Sequence, residues 1–137
     1  MLKHILITGG AGFIGSHLCE AFVRQGNVVV AVDDLSTGRI ENLNDLQSAP
    51  NFQFVRETIL NAQVLDRLAS QSNLIIHLAA VVGVQLIVQD PVRTIQTNVM
   101  GTEAVLTAAN RYGCKVLLAS TSEVYGDPLV HPQREDY

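Results

Sequence analysis

Between Ile7 and His17 the chain reads ITGGAGFIGSH, with Gly9, Gly12 and Gly15 three residues apart. Glycine loses more conformational freedom on folding than any other residue, so three in one short stretch call for a reason. What flanks them narrows it. His4 to Thr8 is a short continuous apolar run, the pattern of a strand buried on both faces. From Phe13 to Gln25, Ile14, Leu18, Ala21 and Phe22 recur on one helical face, and Gly26 is placed to end that helix. Strand, glycine loop and helix in succession make the chain begin with a βα unit.

The rest continues the alternation. VVVAV, Val28 to Val32, reads as a second buried strand rich in β-branched residues. Arg39 to Leu46 reads as a short helix and Phe52 to Arg56 as a third strand. Ala62 to Ser70 reads as a helix with Val64, Leu65 and Leu68 inward. LIIHLAA, from Leu74, is a fourth strand running into its loop. Pro91 suits the first turn of a long helix that ends at Gly113, with Val92, Ile95, Val99, Leu106 and Ala109 along one face. Lys115 to Ala119 is a fifth strand, and Asp127 to Tyr137, with two prolines, reads as loop.

Such alternation implies βαβ units with right-handed crossovers. The predicted fold is α/β, a doubly wound parallel sheet in the order 3-2-1-4-5, incomplete at its C-terminal edge, where strand five is left raw. Ligands of such sheets bind beyond the C-terminal strand ends where the order reverses, here between strands one and four. The glycine loop follows strand one and LAAVVG follows strand four, so both lead to one crevice.

Composition removes several classes of function. The 137 residues fit one domain. Apolar residues are 47% and charged residues 16%, which excludes a disordered chain. A net charge of −4 with no run of Lys or Arg argues against nucleic acid as a partner. Cys19 and Cys114 are too few for a disulfide scaffold and read as reduced, buried thiols of a cytoplasmic protein. MLKHILITGG reaches glycine too soon for a signal-peptide core. The apolar stretch from Leu74 to Val88 is interrupted by His77, Gly83 and Gln85, too short and too polar for a membrane span.

A helix N-terminus presents N–H groups without partners and a partial positive charge, and a pyrophosphate reaches them only where no side chain intervenes. On this reading Gly9 permits the turn, Gly12 lets the phosphates approach, and Gly15 lets the helix lie close to the sheet. The plainer reading is a tight βα turn with no ligand. Asp33, at the end of strand two, supports the ligand: a carboxylate there takes both ribose hydroxyls of an adenosine and repels a 2′-phosphate, preferring NAD to NADP. Its plainer reading is a turn or helix-cap aspartate. Asp34 is equally acidic and able to exchange roles with it, and Arg39 is close enough to soften the exclusion of NADP.

TGGAGFIG, DDLSTG, HLAA, TNVMGT and STSEVYGD stand in an order and spacing that resemble the extended short-chain dehydrogenase/reductase family of NAD-dependent nucleotide-sugar epimerases, dehydratases and decarboxylases. The resemblance spans essentially the whole chain. It implies that residues 1–137 are a Rossmann NAD-binding domain acting on a nucleotide sugar, with a UDP-sugar favoured, no membrane partner, and a homodimer formed through the Pro91 to Tyr112 helix. That helix carries apolar residues on more than one side, Met100 and Ala104 included. By resemblance, Phe13 and Ile14 lend backbone N–H groups to the pyrophosphate and Asp33 holds the adenosine ribose. Ser36 and Thr37 lie along the adenine half. Leu78, Ala79 and Ala80 line the nicotinamide ribose, and Asn98 sits near the cofactor and braces strand four. Thr58, followed by Ile59, stands where the family usually has an aspartate that contacts adenine, and a neutral hydroxyl is a weaker acceptor. Thr121 takes the place of the Ser/Thr that bonds the sugar hydroxyl being oxidised, and Glu123 that of a glutamate used in a further acid/base step. The plainer readings are a strand-end hydroxyl for Thr121, a solvated carboxylate for Glu123 and a buried structural amide for Asn98. His77 reads as a packed, satisfied histidine and Tyr125 as packing near the site.

The family's proton-transfer pair, a Tyr-x-x-x-Lys, comes a short way beyond EVYG. No tyrosine here has a lysine four residues on. The expectation is a piece of a longer enzyme, inactive alone. The alternative is an NAD-sensing or interaction module. STSEVYGDPLVHPQREDY looks most like UDP-glucuronate decarboxylases, whereas the stretch from His77 to Leu106 resembles bacterial 4-epimerases. Ser122, where dehydratases of dTDP-glucose carry an aspartate, argues against dehydration. The shared chemistry is hydride transfer from C4 of the sugar to NAD, giving a 4-keto sugar that is re-reduced from the other face or loses a C5 carboxylate.

Overall fold

The computed structural model describes residues 3–136, without the side chains of Val84 and Leu86. Its centre is strand β1 (His4–Thr8), flanked by β2 (Val28–Asp33) and β4 (Leu74–His77). β3 (Phe52–Arg56) lies outside β2 and β5 (Lys115–Leu118) outside β4. All four pairings are parallel and the order is 3-2-1-4-5, as the sequence predicts. Helices α1 (Phe13–Arg24) and α2 (Ala62–Ser70) cross over between strands, as does a 3₁₀ turn over Ile40–Leu46. Between β4 and β5 run α3 (Val84–Gln89), α4 (Pro91–Ile95), a π turn (Gln96–Met100) and α5 (Gly101–Tyr112).

Alternate residues of a strand point to opposite faces, so each inner strand feeds two cores. On one side Ile5, Ile7, Val29, Ala31 and Ile76 meet Cys19 of α1 with Leu43 and Leu46. On the other Leu6, Val32 and Ile75 meet Leu65, Leu68 and Ala69 of α2 and Val105, Ala108 and Ala109 of α5. Burial on both faces is why these strands read as unbroken apolar runs rather than alternating ones.

Two predicted helix faces are corrected. In α1 the buried residues are Gly15, Ser16 and Cys19, with Leu18 and Phe22 only half-buried; Ile14 and Ala21 are exposed. The helix starts so close to the glycine loop that only small residues fit beneath its first turns. In the rod after β4 the buried residues are Thr94, Gly101, Val105, Ala108 and Ala109, whereas Val92, Ile95, Val99 and Leu106 are exposed. The buried positions keep the predicted spacing but stand two residues on, both before the π turn (Thr94 for Val92) and after it (Ala108 for Leu106); the rod lies so close to Ile59 that a Cβ on Gly101 would meet it at 2.4 Å, so small residues face inward. α3 is unforeseen: VQLIVQ has no one-sided pattern, and Ile87 and Val88 remain exposed. Pro91 at the start of α4 and Gly113 in the left-handed conformation after α5 stand as predicted.

Leu6 is fully buried in the central strand. Leu6→Ala is expected to lower the free energy of unfolding by about 3 kcal/mol, as read from urea denaturation.

Candidate functional site

β1 delivers the chain to Gly9, whose φ of +69° makes the turn. A Cβ on Gly9 would lie 2.8 Å from the Ala79 nitrogen, so this turn rests directly on the backbone that follows β4. A Cβ on Gly15 would lie 2.2 Å from the Gly9 oxygen, which is the close helix approach expected of it. Gly12 differs. A Cβ there would meet only the Gly9 oxygen, at 3.2 Å, so the loop is open beside it.

α1 begins at that opening. Gly12 supplies no side-chain cap and the first turn holds no acidic residue. Among the described residues, the amides of Phe13 and Ile14 have no protein acceptor. These are free donors at the positive end of a helix dipole, and an anion is their natural complement. The side chains of both residues point to solvent, with the Phe13 ring 4.7 Å from that of His17.

Asp33 closes one flank. Its Oδ2 accepts the Ala11 amide at 3.0 Å and its Oδ1 the Leu35 amide at 2.9 Å. The carboxylate thus ties the glycine loop to the end of β2 and is nearly buried. A Cβ on Gly38 would come within 2.9 Å of both carboxylate oxygens, so only glycine lets that loop cross over Asp33. The Ala11 carbonyl accepts the Arg39 amide and the Asn42 side chain, completing the clamp. Sequence reasoning missed Ala11 and Gly38. Gly38, the last residue of DDLSTG, was the visible signal. Asp34 is exposed and its Oδ1 accepts the Ser36 amide, so it does not share Asp33's place. Ser36 and Thr37 are exposed along the same loop.

The other flank is the segment after β4. The Thr8 hydroxyl accepts the amides of Leu78 and Ala79, each at 3.2 Å. Asn98, in the π turn, donates to the Val81 carbonyl at 3.0 Å and accepts the Val81 amide at 2.7 Å. It braces the segment after β4 rather than the strand itself. His77 is buried between Thr8 and Thr102, with Nδ1 2.6 Å and Nε2 3.0 Å from their hydroxyl oxygens, a packed and satisfied histidine. Burial pushes its pKa down from 6.5. Ala80 is exposed beside this segment.

Thr58 engages its hydroxyl locally, accepting the Leu60 amide at 3.3 Å. The Ile59 side chain packs in the core against Gly101, which leaves its backbone for any ligand contact. β5 runs parallel to β4, and the Ala119 amide extends their ladder to the His77 carbonyl. Thr121 and Glu123 therefore emerge at the strand ends that carry the glycine loop. Both are exposed; Thr121 does not cap the 3₁₀ turn Ser122–Tyr125 that follows it, and the Ser122 hydroxyl lies 3.4 Å from the Glu123 carboxylate. Tyr137, which ends the decarboxylase-like motif, lies outside the described residues.

A cavity of about 460 Å³ lies elsewhere, between α2 and α5, lined by Leu60, Met100 and Glu103 among others. Asp66 in it is already bonded by Arg111 and Tyr112. No predicted site residue lines it. The sequence-predicted site residues lie along the open crevice, which is an edge and not a closed pocket. No described helix is long and apolar enough to cross a membrane, and no described cluster of side chains could hold a metal ion.

A family described as GDP-mannose 4,6 dehydratase matches residues 6–137. UDP-glucuronic acid decarboxylase 1 of Arabidopsis thaliana is 46% identical over 97% of this chain, which spans 29% of that protein. The chain thus covers about a third of the length of such relatives. A UDP-N-acetylglucosamine 4-epimerase from Methanobrevibacter ruminantium, solved with UDP-N-acetylmuramic acid, superposes with a TM-score of 0.88 at 33% identity, over 98% of this chain and 43% of that one. The Bordetella bronchiseptica enzyme WbmH, solved with NAD+, gives 0.86 at 31% identity, over 99% and 45%.

Because burial lowers the folded-state pKa of His77, the unfolded chain binds more protons between that value and 6.5. The contribution to stability is whole above about pH 6.5 and is lost as pH falls through the folded value. The urea midpoint is expected to stay level from pH 8 to 7 and to decline from pH 6.5 to 5.5. His77→Gln is expected to flatten that decline. The Cys19 thiol, pushed up to about 12 by burial, is expected to resist alkylation at pH 8 until the chain unfolds.

Proposed function

Because the chain belongs to the GDP-mannose 4,6-dehydratase family of extended short-chain dehydrogenases/reductases, we propose that it is the NAD-binding part of an enzyme that oxidises C4 of a UDP-sugar and then epimerises or decarboxylates it. The carrying observation is the uncapped start of α1, with the free amides of Phe13 and Ile14 beside the open face of Gly12. A pyrophosphate fits that chemistry. WbmH, similar over 99% of this chain, was solved with NAD+, which supports the same cofactor here.

In this reading the loop amides hold the pyrophosphate. Asp33, fixed from two sides by backbone amides, offers its remaining lone pairs to the adenosine ribose. Leu78, Ala79 and Ala80 form the wall of the nicotinamide half, and Ser36 and Thr37 the rim of the adenine half. Bound NAD would supply the acceptor for the hydride leaving C4. Thr121 orients the C4 hydroxyl, and Glu123 serves a later acid/base step. A ketone at C4 lies β to a carboxylate on C5, so loss of carbon dioxide leaves its electron pair in an enolate that the ketone stabilises. Identity of 44–46% to UDP-glucuronic acid decarboxylases favours that outcome over epimerisation. The tyrosine–lysine pair that would take the hydroxyl proton is implied beyond EVYG.

The exposed apolar residues Val92, Ile95 and Val99 support a homodimer through the rod of residues 91–112. Free thiols at Cys19 and Cys114 suit the cytoplasm.

Calorimetric titration of the chain with NAD+ and NADP+ tests the reading. Saturable NAD+ binding, weaker for NADP+, is expected. Gly12→Val, whose Cβ would stand 3.2 Å from the Gly9 oxygen, is expected to abolish binding while the chain still unfolds cooperatively in urea. Asp33→Ala is expected to weaken binding tenfold or more, about 1.4 kcal/mol. Thr58→Asp is expected to tighten it, by supplying a stronger adenine acceptor. A folded chain that binds neither dinucleotide overturns the proposal.

A further inference from the structure

The protonation pattern around His77 is determined from both of its ends. A hydroxyl oxygen accepts two hydrogen bonds and donates one. Thr8 Oγ1 accepts the Ala79 amide and shares the Leu78 amide with the Thr8 carbonyl, which takes it at 3.1 Å; among the described residues its own proton has no acceptor besides His77 Nδ1, 2.6 Å away. Thr102 Oγ1 donates to the Asn98 carbonyl at 2.7 Å, so it accepts the proton on His77 Nε2 at 3.0 Å. Each hydroxyl is oriented by backbone groups, and the two orientations require the same ring: neutral, with its proton on Nε2. Among the described residues, no carboxylate or cationic group is hydrogen-bonded to His77.

This ring joins three pieces of the crevice. Thr8 is the last residue of β1, directly before the Gly9 turn, and that turn rests on the Ala79 backbone. Thr102 sits in the first turn of α5 and bonds Asn98, whose side chain holds Val81 through both its backbone groups. A hydrogen-bonded path therefore runs from the glycine loop through the imidazole to the helical rod and back to the segment after β4. An apolar residue at position 77 would fill the space but leave the buried Thr8 proton with no acceptor among the described residues.

We propose that His77, as the Nε2–H tautomer, is a positioning residue: it locks residues 78–81 to the Gly9 turn and to α5, and so sets the wall against which the nicotinamide half of a dinucleotide lies. This rests on the NAD-binding reading above. His77 itself touches no ligand. It acts through Thr8 and Thr102.

The test uses the isotopically labelled chain and the variants Thr102→Val and Thr102→Ser. Imidazole ¹⁵N–¹H correlation at pH 7.5 is expected to find His77 protonated on Nε2 alone. Thr102→Val is expected to speed amide exchange at Leu78, Ala79 and Val81 relative to β1 and β2, and to weaken NAD+ binding roughly fivefold, the equivalent of one net hydrogen bond. Thr102→Ser is expected to restore both. The proposal is overturned by a proton on Nδ1, by an imidazolium, or by exchange and affinity that Thr102→Val leaves unchanged. It is equally overturned if Thr102→Ser fails to rescue. If the parent chain binds no NAD+, the cofactor reading fails on its own, and the tautomer with the exchange rates still decides whether the clasp exists.

Discussion

Everything at the crevice depends on how closely α1 approaches the turn at the end of β1. At Gly15 there is no room for even one methyl group, because the Gly9 carbonyl lies where it would go. That contact starts the helix immediately after the strand and leaves its first amides facing outward at the sheet's C-terminal edge. It also explains the odd interior of α1, where a glycine, a serine and a cysteine occupy the buried positions. Bulkier residues there would lift the helix off the loop, and the free N–H groups would no longer sit beside the crevice.

The two flanks of the crevice are held by different chemistry. On the β2 side a carboxylate does the work: Asp33 receives two backbone amides, one from the glycine loop and one from its own turn. On the β4 side the links are neutral, through Thr8, His77, Thr102 and the Asn98 amide. In the cofactor reading proposed above, a charge beside the adenosine hydroxyls would select against an added phosphate. The neutral network on the β4 side is satisfied by its own hydrogen bonds, which favours rigidity.

Much of this was legible in the residues. The five strands, their order and the glycine roles follow from apolar runs, from β-branched composition and from a spacing that only a few backbones accommodate. Phe13, Ile14 and Asn98 were singled out by motif resemblance, and the structure shows free amides at the first two and hydrogen bonds from Asn98 to Val81. Three things were not legible. The inward face of the rod from Pro91 onward was misread because several of its buried positions, Thr94, Gly101 and Ala108, are small or polar, while the larger apolar residues Val92, Ile95, Val99 and Leu106 face out. α3 was unseen because its six residues, Gln85 and Gln89 among them, show no one-sided pattern. Asp33's part in holding the loop, and Gly38's in leaving room for it, depend on atoms brought together from β2 and the βα loop.

The sequence by itself determined the layered α/β fold and the location of the crevice, because both follow from local periodicity and from where glycine is tolerated. Tertiary structure alone decided which hydroxyls His77 meets, which oxygens of Asp33 are already engaged, and which sides of α1 and of the rod from Pro91 face inward. Those properties are set by contacts between residues far apart in the chain, and no local pattern encodes a distance across a sheet.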